Sequence, residues 1–264
     1  KPEMKFANQL NMDVFVPALV LSALAGKAIE LSTYSMLALG GLAVVLGSGL
    51  LAYPLSRVLG QNPRAFIPPM MFNNSGNMGI PLALLAFGEA AVPAAVVLFM
   101  VENTLHYSLG TYALSRKANP LHVLKEPVVI ASIIGLTLSM MEWRMWEPLN
   151  YAIKLTGDVA IPLLLFSLGV RFTQASFADL KLGLIAGVLC PVTGLLIAYP
   201  LALVLPLSPQ HQAMLIVFGA LPPAVLNFVF AEKYQVEPGK VASMVLIGNL
   251  MSLIFVSLAL YWVL

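Results

Sequence analysis

Apolar residues in this chain run on without interruption for lengths that matter in one setting above others. Stretches at about 10–26, 34–56, 66–87, 91–114, 127–141, 155–170, 182–205, 213–230 and 241–264 are nearly free of charge. A helix needs about 20 such residues to cross the roughly 30 Å of bilayer hydrocarbon. The pattern therefore predicts nine spans. The first and sixth are short, at about 17 residues against that requirement, and each is interrupted by a proline, Pro17 or Pro162.

Two of the runs turn polar where a span should be driest. Between Phe66–Phe72 and Leu82–Phe87 stand Asn73, Asn74, Ser75, Gly76, Asn77, Met78, Gly79, Ile80 and Pro81. The eighth run holds Leu221, Pro222, Pro223, Ala224, Val225, Leu226 and Asn227. Non-helical backbone at membrane depth survives only where protein or a wet cavity satisfies its N–H and C=O groups, and in transporters such breaks mark the substrate site. Residues 66–88 and 210–231 are thus expected to be broken crossover helices. Pro81, and Pro222 or Pro223, are expected in the first turn of each second half-helix, where a missing N–H costs little.

The two breaks belong to an internal repeat. Leu10, Asp13, Val14, Pro17, Leu19 and Ser22 recur at an offset of 145 as Leu155, Asp158, Val159, Pro162, Leu164 and Ser167. Ala52-Tyr53-Pro54-Leu55 recurs as Ala198-Tyr199-Pro200-Leu201 at 146. Self-similarity over such a length is a signature of repeated architecture. Because Asp13 and Asp158 start helices on opposite sides of the membrane, the halves are inverted: residues 1–118 form a repeat lacking its first helix and 119–264 a complete repeat of five. The mismatch predicts one more helix upstream of Lys1.

Composition adds to this picture without changing it. With 59% hydrophobic and 10% charged residues, against about 25% charged in soluble domains, the chain is an all-α integral membrane protein. Lys and Arg divide eleven to three between the sides: Lys1, Lys5, Arg57, Arg64, Arg116, Lys117, Lys125, Arg171, Lys181, Lys233 and Lys240 against Lys27, Arg144 and Lys154. The positive-inside rule then places residue 1 in the cytoplasm and the C-terminus outside an inner (plasma) membrane, with Trp143, Trp146, Tyr151 and Trp262 as an outer aromatic belt. A net charge of +2 gives no argument for nucleic acid. The single cysteine, Cys190, permits no intrachain disulfide.

Every Lys and Arg falls at a helix end or in a loop, so a buried anion would rely on helix dipoles and amides. Asn73, Asn74, Ser75, Asn77, Pro81, Pro222, Pro223 and Asn227 are the candidate substrate residues, since an amide donates and accepts without a buried charge. The plainer reading is that they repair the backbone they interrupt. Asp13 and Asp158 are candidates for a coupling cation, or else cap helices at the membrane boundary. Glu102 and His106, one turn apart, can carry a proton, or Glu102 can be a neutral acid bonded between helices. The repeat sets Ile247 or Gly248 opposite Glu102. Gly183 and Gly187 form a small-xxx-small pair suited to helix packing. His122 and His211 lie in loops without companions at ligand spacing, so no metal and no cofactor is expected.

Asn74-Ser75-Gly76-Asn77-Met78-Gly79-Ile80-Pro81-Leu82 and the stretch Ala220–Tyr234 resemble the two crossovers of the auxin efflux carrier family, which includes plant PIN-type carriers and bacterial relatives associated with malate or malonate. The resemblance covers nearly the whole chain. It implies a PIN/bile-acid-symporter-like fold of ten helices, a scaffold beside a mobile crossover domain, elevator motion and a homodimer, with Asn74 as the crossover asparagine. Asn227, where plant carriers have proline, and the short Arg116–Lys125 connection point to a bacterial type. The expected function is secondary transport of a small organic anion such as malate, malonate or an auxin-like acid, coupled to H+ or Na+. The alternatives are a sodium-coupled bile-acid-type symporter, a non-transporting receptor, and an intramembrane aspartyl protease using Asp13 and Asp158. The last lacks a Gly-x-Gly-Asp motif and sets its acids roughly 18 Å apart in depth.

Overall fold

The computed structural model describes residues 4–25, 31–115, 120–173 and 179–264, and among them every regular element is helical. Lys1, Lys27, Arg116 and Lys117 of the charge count, and the side chain of His122, lie outside the described residues. Five continuous helices are long and apolar enough to cross a membrane: Tyr34–Val58, Glu89–Leu114, Glu147–Val170, Leu180–Val204 and Pro238–Val263. The segments Ser75–Phe87 and Pro127–Met140 are shorter apolar helices. Large apolar side chains such as Leu50, Val58, Leu253 and Tyr261 stay exposed, as a lipid-facing surface requires. This is a multi-pass membrane protein.

The helices that hold the first and sixth runs extend beyond them. Helix α1 (Lys5–Leu10) passes through a π-helical turn, Asn11–Phe15, directly into α2 (Val16–Ala25). Helix α3 (Leu31–Val58) and the first crossover, α4 (Pro63–Met71) and α5 (Ile80–Phe87), follow. Then come α6 (Val92–Leu105), a π-helical turn at His106–Gly110, α7 (Thr111–Leu114) and α8 (Pro127–Met140). The sixth run begins at Glu147, because Pro148 sits in the opening turn of α9 (Glu147–Asp158), which continues past Val159 into α10 (Ala160–Thr173). The polar residues Glu147, Asn150 and Lys154 looked like loop. They are a helical turn at the boundary, where Lys154 pairs with Asp158 at 2.9 Å in the favourable i,i+4 arrangement. Lys154 is therefore neither in a loop nor at a helix end.

Nor do Pro17 and Pro162 break their helices. Each lacks the N–H that the carbonyl four residues earlier would accept, at Asp13 and at Asp158. The ladder loosens upstream instead, as the π turn 11–15 in one case and the turn at Val159 in the other.

Helices α11 (Leu180–Val204), α12 (Pro209–Ala220), α13 (Leu226–Lys233) and α14 (Pro238–Val263) complete the chain. One group forms around α2, which packs on α8 and α9. A second forms around α11, against α14, α12 and α3, with α3 also on α4 and α6. These groups ignore the boundary near residue 118. Between them, α10 touches the 75–79 turn and α5, and α6 touches α2 and α8. In the second group α11 and α12 meet backbone to backbone, since a Cβ on Gly194 would overlap the Gly219 carbonyl. A Cβ on Gly187 would lie 2.5 Å from the Met251 sulfur, and one on Gly183 would strike Ile247. The small-xxx-small pair thus packs α11 on α14.

Candidate functional site

The first crossover leaves helical geometry at Phe72 (φ −106°, ψ 109°) and re-enters it through a π-helical turn, Ser75–Gly79, ahead of α5. The second is extended at Leu221 (φ −64°, ψ 145°) and resumes at Leu226. The two breaks meet. Asn73 and Pro223 face each other as an antiparallel bridge, the Asn74 N–H donates to the Pro222 carbonyl at 2.7 Å, and the Ala224 N–H donates to the Phe72 carbonyl at 2.9 Å. Two prolines in series have no N–H to satisfy, so at Pro222 and Pro223 the break leaves only carbonyls in need of donors.

Asparagines supply those donors. The Asn73 amide donates to the Phe218 carbonyl at 2.8 Å. Asn227 donates to Phe72 and Ala224 at 2.9 and 3.0 Å. Asn249 donates to Pro223 and Val245 at 2.9 and 2.8 Å and accepts from the Asn74 amide at 2.8 Å. Asn249 was not among the sequence candidates. Its signal was a lone amide inside Leu246-Ile247-Gly248-Asn249-Leu250, two positions beyond Ile247 in the repeat.

The prolines act differently from expectation. The second half of the first crossover starts at Ser75, so Pro81 lies deeper than its first turn. The π turn before Pro81 takes up the strain of its missing N–H. Pro222 and Pro223 lie in the extended break, ahead of α13, and offer carbonyls to Asn74 and Asn249.

Beside the crossing is a hollow of about 250 Å³. Asn73, Asn74, Asn77, Glu102 and His106 line it, together with Asn8, Asn11, Asn103 and Ser167. The three π-helical turns among the described residues, 11–15, 75–79 and 106–110, contribute to its wall, and such turns are frequent at functional sites. The Ser75 hydroxyl donates to Glu102 Oε2 at 2.8 Å. His106 Nδ1 is 3.4 Å from Glu102 Oε1, and its ring stacks on Phe72 at 4.1 Å with Phe230 edge-on at 5.2 Å. Buried and without a hydrogen-bond partner in the described structure are the side-chain oxygens of Asn11, Asn73 and Asn227, Glu102 Oε1 and His106 Nε2. The polar cluster around the crossing is thus denser than the sequence suggested, because separate helices deliver it.

The two aspartates are elsewhere. Asp158 pairs with Lys154 and lines a second cavity of about 270 Å³ with Ser22, Glu89 and Asn150. Asp13 is exposed and acts on Glu126. Burial first, then Asp13, pushes the Glu126 carboxyl above its ordinary range, while Lys233 opposes the shift. The two aspartates form no dyad. Ser22 bonds its own helix at the Leu19 carbonyl (3.0 Å), and Ser167 bonds Asn8 at 2.5 Å. His211 is not in a loop, because Ser208 and Pro209 start α12 ahead of it, and its ring lies 5.2 Å from Tyr34.

A bundle of long apolar helices around two crossed, broken ones, with a polar hollow at the crossing, defines a membrane transporter. The chain belongs to the membrane transport protein family, the auxin efflux carrier group, whose profile matches residues 113–261. It is similar to a candidate malonate transporter of Rhizobium meliloti, with 26% identity over 209 residues, 72% of this chain and 64% of that protein. An uncharacterized transporter of Methanocaldococcus jannaschii shares 24% identity over 231 residues, 80% and 73% of the two chains. Auxin efflux carrier component 6 of Arabidopsis thaliana shares 27% over 178 residues, 64% of this chain and 28% of the plant protein. The chain thus spans less than two thirds of the length of the Rhizobium protein. The family and the relatives named here are transporters rather than enzymes.

Proposed function

We propose that this chain is a secondary transporter of a small organic anion, a carboxylate such as malonate, malate or an auxin-like acid, working by an elevator-type movement in an inner membrane. One observation carries the reading: the two breaks are hydrogen-bonded to each other, backbone to backbone, beside a polar hollow. A crossing tied in this way cannot open by parting its half-helices. Access must alternate by moving the crossing as a unit, with α3, α11 and α14, against the group built on α2, α8 and α9.

Within this reading the halves 1–118 and 119–264 are inverted repeats and residue 1 is cytoplasmic. The protein works as a homodimer. The name of the Rhizobium relative supports a dicarboxylate. So does the turn Ser75–Asn77, whose backbone N–H groups have no acceptor within their own helix and which no side chain caps. Asn77 contacts the substrate from this turn. Asn73, Asn74, Asn227, Pro81, Pro222 and Pro223 hold the site in shape. Coupling uses H+ or Na+, with Glu102 and His106 at the hollow and Asp13 and Asp158 outside it.

The test is equilibrium binding of malonate, malate, monocarboxylates and indole acids to purified protein, repeated with Asn74→Ala and Asn77→Ala. Binding of the preferred acid should weaken at least about tenfold in Asn77→Ala, since a lost hydrogen bond to a charged group is worth roughly 1.5–3 kcal/mol, and should also weaken in Asn74→Ala, which removes the bond to Asn249 that holds the site in shape. Unchanged affinity in both would remove the site from the crossing. Binding without flux in proteoliposomes would make the protein a receptor.

A further inference from the structure

We infer that Glu102 and His106 form a proton site whose occupancy is linked to that of the anion, so that one proton crosses with each carboxylate; this rests on the transport reading above and deepens it. Glu102 is 3% and His106 1% exposed. Among the described residues lining their hollow there is no Lys or Arg, which leaves His106 as the group there that can balance an ionised Glu102. Its carboxylate has the Ser75 hydroxyl on one oxygen and His106 Nδ1 at 3.4 Å from the other without a hydrogen bond, while His106 Nε2 is buried with no hydrogen-bond partner. Burial makes a net charge on this pair costly, and a proton is the mobile species that can remove it.

The link to substrate comes from Ser75. It holds Glu102 and opens the same helical turn whose Gly76 and Asn77 line the hollow. An anion on that turn and an ionised Glu102 would place two negative charges in one low-dielectric space. Anion binding therefore favours protonated Glu102, and by reciprocity the proton favours the anion. His106 is gripped by the first crossover through Phe72 and by the second through Phe230, so the site travels with the crossing. The proton enters from water on one side and leaves to water on the other, with no covalent bond made or broken. Other groups bearing on this end are Tyr107 on the same helix, Asp13 before α2, Glu126 at the start of α8, and Lys233 and Tyr234 at the end of α13.

Infrared difference spectra of the protein in lipid nanodiscs, taken from about pH 5 to pH 9 without ligand, should show a protonated carboxyl band that is absent in Glu102→Gln and shifted in His106→Gln. No such band at Glu102 overturns the proton site, whatever the protein carries. In proteoliposomes, malonate and malate uptake should move protons, and affinity should fall about tenfold per pH unit above the titration point, the slope for one linked proton. Glu102→Gln should still exchange the acid across the membrane but move no protons and show a flat pH profile. Flux that follows sodium and ignores pH overturns the linkage and leaves the transport reading intact. An infrared band at Glu102 with no flux of any acid sinks the transport reading and the linkage with it.

Discussion

An asparagine side chain carries two donor hydrogens at one end and an acceptor oxygen at the other, and at this crossing the two ends have separate duties. The amide nitrogens of Asn73 and Asn227 are spent on backbone carbonyls, and their oxygens are left unpartnered. Replacing Asn227 with Ala or Asp removes the donor shared by the Phe72 and Ala224 carbonyls, and should cost about 1–3 kcal/mol of stability. The expected outcome is a lower thermal midpoint in detergent together with slower flux; a variant with unchanged melting would show the donors to be dispensable. Glu126 gives a pH-dependent test outside the membrane. Its raised carboxyl pKa means that the folded state prefers the acid form, so its contribution is intact at low pH and lost as pH rises through the raised value. Glu126→Gln should therefore raise the melting temperature at neutral pH and leave it unchanged in acid.

At the scale of elements, the breaks were legible and the turns beside them were not. Asn, Gly and Pro inside apolar runs can be read as interruptions, because backbone exposed to lipid is too costly to leave unexplained. A π-helical turn adds one residue to an otherwise continuous helix and leaves the apolar character of the run unchanged. That is why 11–15, 75–79 and 106–110 gave no signal, and why Pro81 was placed a turn too early. The start at Glu147 was hidden by polar residues that belong to a helix at the membrane boundary. Asn249 was visible as an odd amide but could be assigned no partner until α14 was seen packed on the second break. The π turn at His106–Gly110 has its own test. A Cβ at Gly110 would stand 2.9 Å from both the His106 and the Phe72 rings, so Gly110→Ala should displace the imidazole. Infrared bands of His106 should shift, and transport should fall further than stability does.

The whole molecule consists of two packed groups in contact through α10 with α5, and through α6 with α2 and α8. If the crossing moves as a unit, Ser22 on α2 and Pro93 on α6, which line one cavity, must change their separation during the cycle. Cysteines at both positions, in a Cys190→Ala background, bridged by a short bifunctional reagent, should stop flux while leaving substrate binding in place. Flux that continues through the bridge would mean that the groups do not slide past one another.

The ladder between the breaks also bears on how the chain is made. Phe72 leaves the ribosome 155 residues before Asn227, the donor that its carbonyl will accept. Until that later stretch is synthesised and inserted, the first interruption has no complement within the bilayer. Biogenesis must therefore hold it beside water or within the insertion machinery, and assembly of the crossing becomes a late event that only a complete polypeptide, or two co-expressed fragments, can accomplish.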